Sequence, residues 1–150
     1  HIEQRVYTVG RLDKDSEGLI IITNDGELAN LLSHPRYGVE KTYLVVVKGR
    51  VSDATIRVLK RGIWISEGKA SPASVKIISR RSKHSTLEIG LKEGKNREIR
   101  RILAKIDHPV ISLKRTKIGP LKMHYSLRVG KYRALSKEEV ESLYALAVSC

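Results

Sequence analysis

The sequence contains no phenylalanine, one tryptophan and six tyrosines. Non-specific single-strand binders stack successive bases on aromatic rings, and this composition supplies little for such a platform. Cysteine is limited to Cys150, the last residue. One thiol forms no internal disulfide, so a reducing cytoplasm is the expected compartment. Long apolar runs are missing too. Leu19 to Ile22 and Tyr43 to Val47 are strand-sized and far too short to cross a bilayer, and no signal-peptide pattern opens the chain. The first residue is His1, so a piece of a longer polypeptide is expected. Acidic residues are scarce beside basic ones: 16 Asp and Glu against 29 Lys and Arg, a formal net charge of +13 and a pI near 10.0. That excess favours a polyanionic partner, because each neutralised phosphate releases condensed counterions.

What is present fits one soluble domain: 150 residues, 41% hydrophobic and 30% charged. Val6 to Val9 is a short apolar stretch before a polar turn, Gly10 to Gly18. Leu19 to Thr23 reads as a buried strand ended by the turn signal Asn24-Asp25-Gly26. Glu27 to Leu32 predicts a short helix stopped before His34-Pro35, and Thr42 to Val47 a strand closed by Gly49. Ser52 and Gly62 frame a helix over Asp53 to Arg61. Ala73 to Ile78 and Thr86 to Leu91 alternate as paired strands. Asn96 is the expected cap of a helix whose Ile99, Ile102, Leu103 and Ile106 make one apolar stripe. Val110 to Leu113 and Tyr132 to Leu135 are further short strands. Ser136 and Glu139 form a capping box for a last helix to about Val148. Strands outnumber helices without regular alternation, which predicts an α+β domain rather than a doubly wound sheet.

Three segments carry candidate chemistry. In Glu93-Gly94-Lys95-Asn96-Arg97-Glu98-Ile99-Arg100-Arg101, three arginines fall at helical spacing on one face. Cations in the first turn oppose the helix dipole. Either the face is simply solvated, with Glu93 and Glu98 as neutralising neighbours, or it contacts phosphate and one arginine is held by a carboxylate. In Gly10 to Gly18, two glycines bracket a loop carrying Asp13, Asp15 and Glu17. Such loops commonly carry function, yet Asp13 can equally cap its own turn. A metal reading has little support, since no second carboxylate or His cluster stands at convincing spacing. The third segment runs from His34 to Tyr43, where Tyr43 reads by itself as a cross-strand aromatic. Arg115 to Leu121 adds two cations beside a turn, by default a surface feature.

Together these segments resemble one family. VGRLDKDSEGLIIITNDGEL (9–28) is similar to the signature of the RsuA-type ribosomal RNA pseudouridine synthases, GRLDxxSeGLLllTNDG. HPRYGVEKTYLVVVKG (34–49), EGKNREIRRIL (93–103), LKRTKIGPL (113–121) and GKYRAL (130–135) follow in the family's order. The resemblance implies the pseudouridine synthase fold, a mainly antiparallel mixed sheet with flanking helices and a central catalytic cleft. It implies isomerisation of a specific uridine in ribosomal RNA, without metal or cofactor; a monomer is the default expectation for the oligomeric state.

By the same resemblance Asp13 is the catalytic carboxylate, acting by attack on sugar or base or by taking a sugar proton to give a glycal. Tyr43 packs on the uracil and helps remove the proton from carbon 5. Arg100 pairs with Asp13 and keeps it ionised. Ile99 contacts the base from the other side, and Arg11 holds the target nucleotide out of the stack. Lys41, Arg97, Arg101 and Arg115 complete the expected substrate-binding set. The family carries an Asn-Lys-Pro-like strand segment, and many members a small S4 RNA-binding domain, ahead of GRLD. Residues 1–150 are therefore expected to be the catalytic domain without those two parts. The competing expectation is a basic RNA-binding module without activity, either an inactive fragment or a ribosome-assembly factor.

Overall fold

β-Branched residues favour the pleated, half-buried environment of a strand, and the chain's richest run of them, KTYLVVVK, forms its central strand. The structure, a computed structural model, describes residues 3–148; Cys150, and with it the lone thiol, lies outside them. In chain order the elements are β1 (Tyr7–Thr8), β2 (Glu17–Gly18), β3 (Ile22–Thr23), α1 (Gly26–Ser33), a 3-10 turn (Pro35–Tyr37), β4 (Lys41–Lys48), α2 (Asp53–Arg61), β5 (Ile63–Ile65) and β6 (Gly68–Ala70). There follow β7 (Ser74–Arg80), β8 (His84–Leu91), α3 (Glu98–Ala104), β9 (Val110–Ile118), β10 (Leu121–Lys122) and α4 (Lys137–Val148).

The main sheet runs β10-β9-β4-β8-β7, every pairing antiparallel, and β2 adds to β9 in parallel at Glu17↔Lys114 and Gly18↔Arg115. Period-2 alternation puts Val45, Val47, Leu87, Ile89, Leu91 and Leu113 into one buried cluster, closed by Leu59 of α2 and by Ile99, Ile102 and Leu103 of α3. A second cluster joins Val9, Leu19 and Ile21 to Leu28, Leu31 and Leu32 of α1, Ile118 and Leu143 of α4. Along β4, Val45 and Val47 belong to the first cluster, while Lys41 pairs with Ile118 of the second. Tyr43 stands between them, opposite Arg115.

Local signals place most element ends. Ser52 Oγ accepts the Thr55 N–H at 3.0 Å and opens α2, and Gly62 closes it. A cap contributes about 1 kcal/mol, whereas burying a leucine as fully as Leu59 contributes roughly 1.5–3 kcal/mol. Packing therefore holds α2, and the cap sets where it begins. The Ser136–Glu139 capping box forms as expected, with Ser136 N–H donating to Glu139 Oε2 at 2.9 Å and Glu139 N–H to Ser136 Oγ at 3.2 Å.

Asn24-Asp25-Gly26 ends β3 as expected, and Asp25 accepts the Leu28 N–H at 3.0 Å and caps α1. Three expectations change. Only Ile22 and Thr23 of the expected strand 19–23 pair, with β1, although Leu19 and Ile21 are buried. α3 is capped by Arg97 in a left-handed conformation (φ 49°) and not by Asn96. No strand forms at Tyr132 to Leu135, because Arg133 donates to both Glu139 carboxylate oxygens, at 2.8 and 2.6 Å, and ties the segment to α4.

Candidate active site

The loop from Gly10 to Gly18 leaves the second core cluster and returns to the sheet through β2. Within it Ser16 N–H donates to the backbone oxygen of Asp13 at 3.0 Å. The turn is thus closed by main chain, and the Asp13 carboxylate accepts no hydrogen bond among the described residues. The capping alternative for Asp13 fails on that geometry. The carboxylate instead opens into a cleft of about 240 Å³, lined also by Arg11, Tyr43, Arg97, Ile99 and Leu113. Tyr43 and Leu113 come from β4 and β9, and Ile99, almost fully buried, from the first turn of α3.

The loop is fastened to α3 by arginine. Arg97 donates from both terminal nitrogens to Asp15, at 2.7 and 2.8 Å, a two-pronged charge-assisted contact. Arg100 donates to the Asp15 backbone oxygen at 2.7 Å and to Ser16 Oγ at 3.3 Å, with Nε 3.4 Å from the Asp15 carboxylate. The Arg97 fork holds the Asp15 carboxyl well below its ordinary value, at about 2.

This differs from the arrangement the family pattern implies. The cation nearest Asp13 is Arg97, 3.7 Å from its Oδ2, and Arg100 is committed to Asp15 and Ser16. The reason is local: a left-handed residue 97 swings the Arg97 side chain out of the helical series. The expected common face of three arginines accordingly divides, since Arg101 donates to Glu67 at 2.7 Å in the β5–β6 hairpin. Arg115 is not a surface cation but a buried one, its Nε donating to Leu19 O at 2.7 Å. Arg115 and Lys41 line a second hollow of about 190 Å³, which shares Arg11, Tyr43 and Gly94 with the cleft.

Sequence reasoning missed Asp15 as the anchor of the loop, Leu113 as a cleft wall and Glu98 as a buried acid. Only Asp15 left a signal, two residues from Asp13 and opposite in charge to the arginine run. Glu98 Oε2 accepts the Lys95 N–H at 3.1 Å, while Oε1 is buried and accepts no hydrogen bond among the described residues. Burial raises its pKa, Glu93 adds to the rise, and the Lys95 N–H and ammonium oppose it. The folded state therefore binds this proton more tightly than the unfolded chain, and stability falls as pH rises from the unfolded carboxyl's range through the folded value. Glu98→Gln removes the charge, so melting at pH 7 should rise by about 2–4 °C, as for a gain of about 1 kcal/mol. At pH 4 little gain is expected. Equal gains at both pH values would refute the assignment.

Residues 1–105 match the family model for RNA pseudouridylate synthase. The chain belongs to that family. Across 149 residues the chain is 44% identical to ribosomal large subunit pseudouridine synthase B of Bacillus subtilis, covering 98% of this chain and 61% of that protein. It is 43% identical over 143 residues to an uncharacterized RNA pseudouridine synthase of Aquifex aeolicus, covering 95% of this chain and 57% of the relative. The chain thus spans about three fifths of the length of these curated relatives. A crystal structure of a pseudouridylate synthase superposes with a TM-score of 0.82 at 30% identity, over 92% of this chain and 59% of that one. The pseudouridylate synthase fold, an α+β mixed sheet with four α-helices among the described residues, is established by that likeness. Among the described residues no helix is long and apolar enough to cross a membrane.

Proposed function

We propose that this chain is the catalytic domain of an enzyme that converts a uridine of ribosomal RNA to pseudouridine, with Asp13 as the reacting carboxylate and no cofactor. The observation that carries the reading is the Asp13 side chain. It accepts no hydrogen bond among the described residues, lines a cleft between Tyr43 and Ile99, and has a guanidinium 3.7 Å away. A carboxylate kept for structure is normally spent on hydrogen bonds, as Asp15 and Asp25 are here.

The target base must leave its stack to reach this cleft, at a cost on the order of a few kcal/mol, and Arg11 at the rim is assigned to hold the extruded nucleotide. Tyr43 and Ile99 would then bracket the uracil. The bond from C1′ to N1 breaks, the uracil turns, and C1′ joins carbon 5. The carbon 5 proton leaves, with Tyr43 assisting, and N1 ends protonated. Asp13 initiates this either by attack on sugar or base or by removing a sugar proton to give a glycal; both routes need the same carboxylate. Arg97 is the cation assigned to keep company with Asp13, and Arg100 positions the loop that carries it.

The name of the Bacillus subtilis relative supports ribosomal RNA as substrate, and the net charge of +13 suits a polyanion. A monomer working in the cytoplasm, where ribosomes are made, is the simplest setting. The direct test is tritium release from ribosomal RNA labelled at carbon 5 of uridine, taken from cells lacking this gene. Near-stoichiometric release at a single position is expected. Tight binding without release would make the chain an RNA-binding module and overturn the enzyme.

A further inference from the structure

Arg115 is 5% exposed, and no carboxylate lies within ion-pair distance of it among the described residues. Its Nε donates to a neutral carbonyl, Leu19 O, and its Nη2 is buried without a hydrogen-bond partner. Lys41 is half-buried in the same hollow and, among the described residues, likewise has no ion-pair or hydrogen-bond partner. Burial lowers the Lys41 pKa, and the nearby Arg115 charge lowers it further. Glu93, the one acid on the wall, already accepts the Lys95 ammonium at 2.7 Å. Lys92 and Arg11 add further positive charge around the rim.

A buried and a half-buried like charge with no counter-charge are costly unless something compensates them. The neighbouring cations around α3 are paired by contrast: Arg97 and Arg100 to Asp15, Lys95 to Glu93, Arg101 to Glu67. The missing charge must therefore come from a ligand. The hollow adjoins the Asp13 cleft across Tyr43, Arg11 and Gly94, so an anion seated there lies within a nucleotide's reach of a base held against Tyr43. We propose that Lys41 and Arg115 form a phosphate pocket that holds a phosphodiester flanking the extruded uridine. This rests on the RNA substrate proposed above.

The test reads Lys41 directly. Lysine side chains are dimethylated with ¹³C, the Lys41 signal is assigned by its loss in Lys41→Arg, and its titration midpoint is followed by NMR. The probes are inorganic phosphate, the trinucleotide UpUpU, and the same trinucleotide with uncharged methylphosphonate linkages. UpUpU is expected to raise the Lys41 midpoint by about one pH unit, and the uncharged analogue to leave it in place. A shift with inorganic phosphate but not with UpUpU would make this a pocket for free anions and overturn the proposal. So would no shift with any probe, or equal shifts with charged and uncharged trinucleotides.

In turnover, Lys41→Gln should raise KM for ribosomal RNA about tenfold, the loss of one charged hydrogen bond, with a smaller effect on kcat. A fall in kcat at unchanged KM would also overturn it. Because the NMR measurement needs no turnover, an inactive chain would refute the enzyme while leaving the pocket separately decided.

Discussion

Asp13→Asn should abolish tritium release from uridine-labelled ribosomal RNA, a loss of at least about 10⁴-fold, as when a reacting side chain is removed. The variant should nevertheless fold. The Asp13 carboxylate accepts no hydrogen bond among the described residues, and its ion-pair partner there is Arg97, at 3.7 Å, with the Asp13 side chain 27% exposed. A partly exposed pair at that distance contributes about 0–1 kcal/mol, so the melting temperature should move by no more than about 2–4 °C. RNA affinity should hold or improve slightly, since a negative charge leaves a basic cleft. Asp15→Asn supplies the contrast. It loosens the two contacts to Arg97 and one to Arg100, so its deficit should include a less stable loop. Near-normal turnover by Asp13→Asn would sink the assignment.

The second large effect concerns Gly18. Its φ is +117°, and β2 runs so close to β9 that a Cβ there would lie 2.3 Å from the Arg115 carbonyl oxygen and 2.5 Å from its nitrogen. Those are main-chain atoms, which cannot swing aside as a side-chain tip can. Gly18→Ala must therefore push β2 off β9, breaking the Leu19 N–H contact to Arg115 O at 2.8 Å. Backbone strain costs about 1–3 kcal/mol, and overpacking against fixed atoms about 1–3 kcal/mol more. The sum is a large share of the about 5–15 kcal/mol that holds a domain folded. Even where the chain folds, displacing the loop should slow turnover about 100-fold. Gly10→Ala is the matched control: φ is also positive, +70°, but nothing lies within 4 Å of the added carbon. Thermal melts of the two variants side by side decide the matter. A Gly18→Ala protein no less stable than Gly10→Ala would show that the close approach is not rigid.

Much of this was readable in advance where one local signal fixes one local outcome. The bounds of α2 follow from Ser52 and Gly62, and the start of α4 from the Ser136–Glu139 box. Alternation found β7 and β8, and β-branched composition found β4, each to within a few residues. Failures came where tertiary partners decide. The β5–β6 hairpin escaped notice because Trp64 and Lys69 face solvent and blur the pattern. β9 runs on to Ile118, past the predicted Leu113, because charged residues 114, 115 and 117 still find strand partners. In the site, Asp13, Tyr43 and Ile99 were named from a family pattern and do share a cleft. Which arginine meets which aspartate was not legible. It turns on the φ of a single residue, and nothing in the letters of Arg97 announces a left-handed backbone.

That backbone has a consequence for how the sequence is free to change. A non-glycine residue in the left-handed region gives up roughly 1–2 kcal/mol, and arginine is an unfavoured choice at a helix N-cap, where a short side-chain acceptor is preferred. For thermal robustness alone, glycine or asparagine would be the better occupant of position 97. Neither could extend a forked cation to Asp15 and to within 3.7 Å of Asp13. Position 97 is thus a place where robustness and chemistry pull apart. A search that ranked variants by heat resistance would be drawn to replace one of the two residues that join the loop to the helix.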